Sequence, residues 1–295
     1  MRRVLRWAPA AVLALALALC WTLLYTGGMR AVVAWIMLIS IGQILGPLAL
    51  IAVAVHAIRK RRFSPPMQAA AALAAFSLWP ALWGFGILPI AFPASIATSR
   101  PDATVRVPLD GPVRVGQGGD RLAGNYHAMS PDQRWAYDLV VDPAFGGSAR
   151  LEDYGCYGKT VVAPIAGRVR FALDGEPDQV PGTVSMNFQK PLGNSVGIEL
   201  ASGTYLVLAH LKPGSVKVHE GDSVTEGQPI GACGNSGNTS EPHVHIHHQR
   251  QDPKDRGLNL SEGLPLFFRD HDGPPMPEGG DAATVITHRG KAAAK

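Results

Sequence analysis

The stretch Gly234-Asn235-Ser236-Gly237-Asn238-Thr239-Ser240-Glu241-Pro242-His243-Val244-His245-Ile246-His247-His248 decides how the chain is read. Its first half is turn chemistry. It lacks the Lys and the following helix of a phosphate-cradling loop, so it is a tight turn that delivers a strand. Its second half alternates His with Val and Ile, and in an extended strand alternate side chains share a face. His243, His245 and His247 therefore project from one side, and His248 from the other with Val244 and Ile246. Imidazoles two residues apart on one face stand about 7 Å apart at Cα, close enough for both to serve one reaction centre. The Val and Ile between them place the run in a strand with a core behind it, unlike a solvated histidine tract.

Outward from this strand, from Tyr126 onward, short apolar runs alternate with Gly, Pro, Asn and Asp turns. Examples are Thr160-Val161-Val162-Ala163-Pro164, Gly167-Arg168-Val169-Arg170-Phe171, Ser195-Val196-Gly197-Ile198-Glu199-Leu200 and Tyr205-Leu206-Val207-Leu208. Closely spaced strands without a helical period predict an all-β sandwich or barrel. Residues 93–124 read as a polar linker, 125–262 as the β domain, and 263–295, rich in Pro, Gly, Asp and Ala, as a flexible tail.

The order of motifs is more specific than any one of them. Leu208-Ala209-His210-Leu211, Val218-His219-Glu220-Gly221-Asp222-Ser223-Val224, Gly227-Gln228-Pro229-Ile230-Gly231 and the Gly234–His245 stretch together resemble the lysostaphin-like (LytM-type) zinc metallopeptidases. Val162-Ala163-Pro164-Ile165-Ala166-Gly167-Arg168-Val169 is similar to that family's entry strands, and the resemblance runs from Tyr126 to Gln249, less than half of the chain. It implies an antiparallel, barrel-sandwich hybrid β domain that holds one zinc ion with two histidines and an aspartate. Two further histidines would do acid/base work on peptides of bacterial peptidoglycan. Position by position, His245 corresponds to a zinc ligand, His243 and His210 to the catalytic histidines, and Asp138 to the aspartate that ends an H-x-x-x-D motif. Three N/O ligands leave zinc an open position for water, whose pKa then falls towards neutrality. A neutral histidine beside it can take the proton or stabilise the oxyanion.

The departure from the family is at Arg134, where the motif needs a histidine; a guanidinium has no lone pair to offer a metal. Three alternatives follow. His127, ahead of a turn containing Pro131, supplies the missing ligand, as in a branch that this chain resembles, with a histidine followed by Q-R-x-A-x-D. Or His247, on the ligand face of its strand, substitutes. Or the third ligand is missing, and the domain is a degenerate relative that binds cell wall or regulates another hydrolase. The ligand set expected is His127, Asp138 and His245. A lipoyl-type carrier, suggested by Glu220-Gly221-Asp222-Ser223-Val224 and Gly227-Gln228, lacks the lysine at a hairpin tip flanked by Met.

The first third of the chain is of another kind. Residues 1–100 hold nine Lys or Arg and no Asp or Glu, which leaves 18 basic and 23 acidic groups for the rest. The formal net charge of +4 thus belongs to the flanks of an apolar segment, and a nucleic-acid-binding face is excluded. Three apolar stretches, Trp7 to Tyr25, Ala31 to Ile58 and Met67 to Phe92, predict three transmembrane helices within residues 1–92 and hence the lipid bilayer as a partner. Arg2, Arg3 and Arg6 before the first and Arg59, Lys60, Arg61 and Arg62 after the second place both basic clusters inside. The expected location is the bacterial inner membrane, multi-pass, with the C-terminal domain outside and room for a regulatory membrane partner. There Cys156 and Cys233 could pair in an oxidising compartment.

Overall fold

The computed structural model of the chain describes residues 6–183, 187, 189–254, 260–280 and 284–289. It divides into two compact units, Met1–Thr98 and Ser99–Lys295.

The first unit is helical: α1 (Ala8–Leu24), α2 (Gly28–Lys60) and α3 (Pro65–Gly84). The count of three membrane spans is corrected here. Among the described residues, only α2, with 33 residues, is both long and apolar enough to cross a bilayer. With 17 residues, α1 extends about 26 Å at 1.5 Å per residue, short of a ~30 Å hydrocarbon core. In α3, Gln68, Ser77 and the internal Pro80 dilute the hydropathy. A π-helical turn at Ile41–Leu45 interrupts α2 beside α3. There a Cβ on Gly42 would lie 2.2 Å from the Ser77 carbonyl, and one on Gly46 2.4 Å from the Ser77 hydroxyl, so the two helices approach through small residues.

The second unit is built around an eight-stranded antiparallel sheet. In chain order its strands are β2 (Pro112–Gln117), β3 (Tyr137–Val140), β5 (Gly167–Leu173), β6 (Asn194–Glu199), β7 (Tyr205–Leu211), β8 (Ser223–Val224), β10 (Val244–Gln249) and β12 (Val285–Thr287). Across the sheet they run β12-β2-β3-β10-β7-β6-β5-β8. Two small sheets join it: β1 (Ala103–Arg106) pairs in parallel with β11 (Leu266–Arg269), and β4 (Thr160–Val162) antiparallel with β9 (Pro229–Ala232). Alternation sorts the central strands as their sequences require. Tyr137 and Leu139, Leu206 and Leu208, and Val244 and Ile246 enter one apolar core.

Two boundaries move. The expected linker carries β1 and β2, and the expected tail carries β11 and β12. The physical reason is burial: Val105, Val113, Leu266, Phe268 and Ile286 are nearly inaccessible within that core, each side chain contributing about 1.5–3 kcal/mol. Residues 281–283 and 290–295 of the expected tail lie outside the described residues. Cys156 and Cys233, both fully buried, form a disulfide with Cα atoms 5.8 Å apart. Trp135 and Tyr137 are both buried, Tyr137 within that core.

Candidate metal centre

The site lies on the face of the sheet opposite the core strand positions just named. His245 pairs in register with Asp138 of β3 on one side and with Ala209 of β7 on the other. The aspartate and the histidine, 107 residues apart in sequence, thus become neighbours, with His245 Nδ1 2.9 Å from Asp138 Oδ1.

His127 reaches the same carboxylate by a different route. Asn125 caps a 3₁₀ turn, Tyr126–Met129, by accepting the His127 backbone N–H through its side-chain oxygen at 3.1 Å. A second 3₁₀ turn, Pro131–Gln133, brings the chain back into β3. The return puts His127 Nε2 2.9 Å from Asp138 Oδ2, and the Tyr126 hydroxyl donates to the same oxygen at 2.8 Å. Ligand atoms of His127, Asp138 and His245 all lie within 4.8 Å of one another, and all three residues are buried. Two imidazole nitrogens and a carboxylate form a donor set suited to zinc.

Arg134, the residue at the motif's histidine position, points elsewhere. Its guanidinium pairs with Asp120, NH2 to Oδ1 at 3.0 Å, and lies over the Trp135 ring. His247 stays outside the donor cluster although it shares the strand face of His245; Nδ1 of His247 is 2.9 Å from His245 Nε2. His248 turns to the opposite face, where Nε2 meets the Thr204 hydroxyl at 2.7 Å.

The placement of His210 was not foreseeable from strand alternation. Leu206 and Leu208 face the core, so a regular strand would send His210 there too. Instead the β6–β7 register shifts between Asn194↔Leu211 and Val196↔Leu208, which gives β7 one extra residue. His210 takes it up with φ +62°, and Leu211 returns to the core. The bulge re-aims the imidazole to the site face, where its ring centroid is 4.7 Å from that of His243 and 5.8 Å from that of His245. His210 Nδ1 is 2.8 Å from the Ser236 carbonyl, and His243 Nδ1 is 2.8 Å from the Glu241 carbonyl. A carbonyl only accepts, so both rings carry a proton on Nδ1 and turn Nε2 towards the site.

Burial would raise the Asp138 carboxyl, but the charges of His127 and His243 and their hydrogen bonds outweigh it and hold it well below the usual carboxylate range. Burial pushes His245 down to about 3 and, reinforced by His243 and His245, holds His210 well below its ordinary value. For His243 burial acts downward too, but the Asp138 carboxylate more than offsets it and the net shift is upward. Of the two imidazoles beside the donor set, His210 is thus held neutral and His243 is inclined to hold a proton.

A cleft of about 510 Å³ opens beside the cluster, lined on one side by Gly116, Gln117 and Tyr126 and on the other by Asn238–Glu241 and His243. Gly116 is a bulge residue of β2, and a Cβ there would come within 3.3 Å of the Asp138 carbonyl. Gln117 Oε1 accepts the Tyr126 backbone N–H at 3.0 Å and so ties the His127 turn to the cleft wall.

Residues 152–256 match peptidase family M23. The match takes in His210, His243 and His245 and stops short of His127 and Asp138, which only the fold brings to them. The chain is similar to the catalytic domain of the prophage-encoded M23 protein EnpA from Enterococcus faecalis, solved as a point mutant. Identity is 20%, over 55% of this chain and 93% of that one, with a TM-score of 0.36. It is also similar to the catalytic domain of the antimicrobial peptidase lysostaphin from Staphylococcus simulans, at 20% identity over 51% and 86% with a TM-score of 0.31. A zinc-containing peptidase from Vibrio cholerae is 18% identical over 56% and 39%, with a TM-score of 0.33. No curated protein sequence matches the chain.

Proposed function

We propose that the Ser99–Lys295 unit is a zinc endopeptidase acting on peptides of bacterial peptidoglycan. The observation that carries this is the convergence of His127, Asp138 and His245 from three separate segments, with the imidazoles of His210 and His243 beside them. His127 Nε2, an Asp138 oxygen and His245 Nδ1 would hold the ion. When bound, zinc supplies Lewis acidity and lowers the pKa of a water molecule.

The chain's own residues divide the remaining work. Tyr126 donates to Asp138 Oδ2 and fixes the carboxylate. His210, held neutral with Nδ1–H given to the Ser236 carbonyl, is the general base: Nε2 has a free lone pair to take a proton from the attacking water. His243, inclined to hold a proton through Asp138, is the donor that steadies the oxyanion and then protonates the leaving amine. The cleft between β2 and the Asn238–Glu241 turn, about 510 Å³, is of a size that takes a small ligand or a short piece of peptide. The Cys156–Cys233 disulfide supports work in an oxidising, extracytoplasmic compartment, and the apolar α2 supports attachment to a membrane.

The test is zinc stoichiometry of the full chain purified in detergent, paired with digestion of purified muropeptides. One zinc per chain and new amino termini in the digest are expected. A chain that binds no zinc and cuts nothing would refute the peptidase assignment and leave the degenerate relative, which binds cell wall or regulates another hydrolase, in its place.

A further inference from the structure

His247 takes no part in the donor set or in the steps above, yet it is buried at 2% exposure with both ring nitrogens engaged. Its Nδ1 lies 2.9 Å from His245 Nε2, its Nε2 lies 3.0 Å from Gln249 Oε1, and Gln249 Nε2 lies 2.6 Å from the backbone carbonyl of Gln251. Four groups therefore form one chain of hydrogen bonds, and its polarity is set at the far end.

A backbone carbonyl accepts and never donates, so the Gln249 amide must turn its NH2 group towards Gln251. Its oxygen then faces His247 and needs a donor, which puts the His247 proton on Nε2. Nδ1 of His247 is left with a lone pair, and the His245 proton must sit on Nε2 to donate to it. His245 Nδ1 is thereby bare, and it aims at the Asp138 carboxylate 2.9 Å away. A lone pair facing a carboxylate at that distance is repulsive unless a cation lies between them. Reversing the chain, so that His245 Nδ1–H could donate to Asp138, would bring the Gln249 oxygen against the Gln251 carbonyl. Gln251 is itself anchored, because its side-chain oxygen accepts from the Ser261 hydroxyl and the Glu262 N–H.

We propose that His247, acting through Gln249 and the Gln251 carbonyl, is a positioning residue that fixes His245 in the Nε2-protonated tautomer and so presents a bare Nδ1 to the metal. The relay rests on the zinc-site assignment for its purpose but not for its polarity. It also gives His247 a part that excludes it as a spare ligand, since both of its nitrogens are occupied.

Two measurements on the full chain in detergent test it. The first is the ¹⁵N resonances of the ring nitrogens of His245, assigned by comparison with His245→Gln, in metal-free and zinc-loaded protein. A protonated Nε2 in both forms is expected, and a proton on Nδ1 of the metal-free protein would overturn the relay even if no zinc is bound. The second is zinc affinity by chelator competition. His247→Leu removes the acceptor and should weaken binding about 10- to 100-fold, the range for loss of an outer partner of a metal-ligating histidine. His247→Gln keeps an acceptor oxygen and should recover most of that loss. Equal weakening in both variants, or none in either, would show that the site needs only bulk at this position and would refute the proposal.

Discussion

Replacing His210 separates its backbone role from its chemical one. A non-glycine residue at φ +62° bears a left-handed cost of about 1–2 kcal/mol, which glycine does not. Both His210→Ala and His210→Gly delete the imidazole, its contact with the Ser236 carbonyl and its packing on His243, so these losses cancel between the two variants. What differs is the strain, which Ala keeps and Gly releases, less about 0.4–1 kcal/mol for the extra freedom of glycine in the unfolded chain. The Gly variant should therefore be the more stable by about 0.5–1 kcal/mol, or about 1–4 °C in melting temperature for a unit of this size. Both variants should lose activity by about 10²- to 10⁴-fold, as for removal of a general base, and both should keep their zinc. Differential scanning calorimetry, zinc content and muropeptide cleavage on the same preparations decide the matter. An Ala variant that melts at or above the Gly variant would mean that the bulge does not hold residue 210 left-handed. A Gly variant with wild-type turnover would remove His210 from the chemistry.

Three further outcomes are expected. His127→Ala should lower zinc occupancy, read by atomic absorption after gel filtration; full occupancy with full activity would rule His127 out as a ligand. In the metal-free protein, burial sets His245 at about 3 and His247 and His248 at about 4, below the ordinary histidine value near 6.5. The unfolded chain therefore binds protons first, and stability present above pH 6.5 should be lost as pH falls towards 4. The slope is about 1.4 kcal/mol per pH unit for each imidazole, and a melting temperature flat between pH 7 and 5 would contradict it. Reduction of Cys156–Cys233, which closes a span of 77 residues, should cost up to about 4 kcal/mol in denaturant titrations, and free thiols in the untreated native chain would exclude the bridge.

The alternation of His243, Val244, His245 and Ile246 is a local property of the chain, and so the strand, its two faces and the core residues behind it were legible in the sequence. Asp138 was reached through the resemblance, as the aspartate that ends the H-x-x-x-D motif, and its alternation with the core residues Tyr137 and Leu139 agrees with that place on the site face. The bulge at His210 was hidden, because an extra residue in β7 is defined only against β6. The capped turn that returns His127 depends on Asn125, whose amide donates to the Gly119 carbonyl, a contact with no sequence signature. The strands of the supposed linker and tail were missed for a related reason. Val105 and Phe268 meet in a parallel pair more than 160 residues apart, and short Pro- and Gly-flanked runs show no preference of their own for such a partner. The hydropathy of the first hundred residues located its helices but overcounted its spans, since composition does not report where a helix ends.

In the sheet order, among the described residues, β12-β2-β3 on one side and β7-β6-β5-β8 on the other are joined through β10. That strand also brings His245 and, just ahead of it, His243. It is made after every other residue of the site, so a ribosome must pass position 245 before any part of the chain can complete the donor set. The keystone of the architecture and the last residue of the candidate metal centre therefore arrive in one event. A nascent or truncated copy that lacks the keystone therefore cannot assemble the His127, Asp138 and His245 donor set.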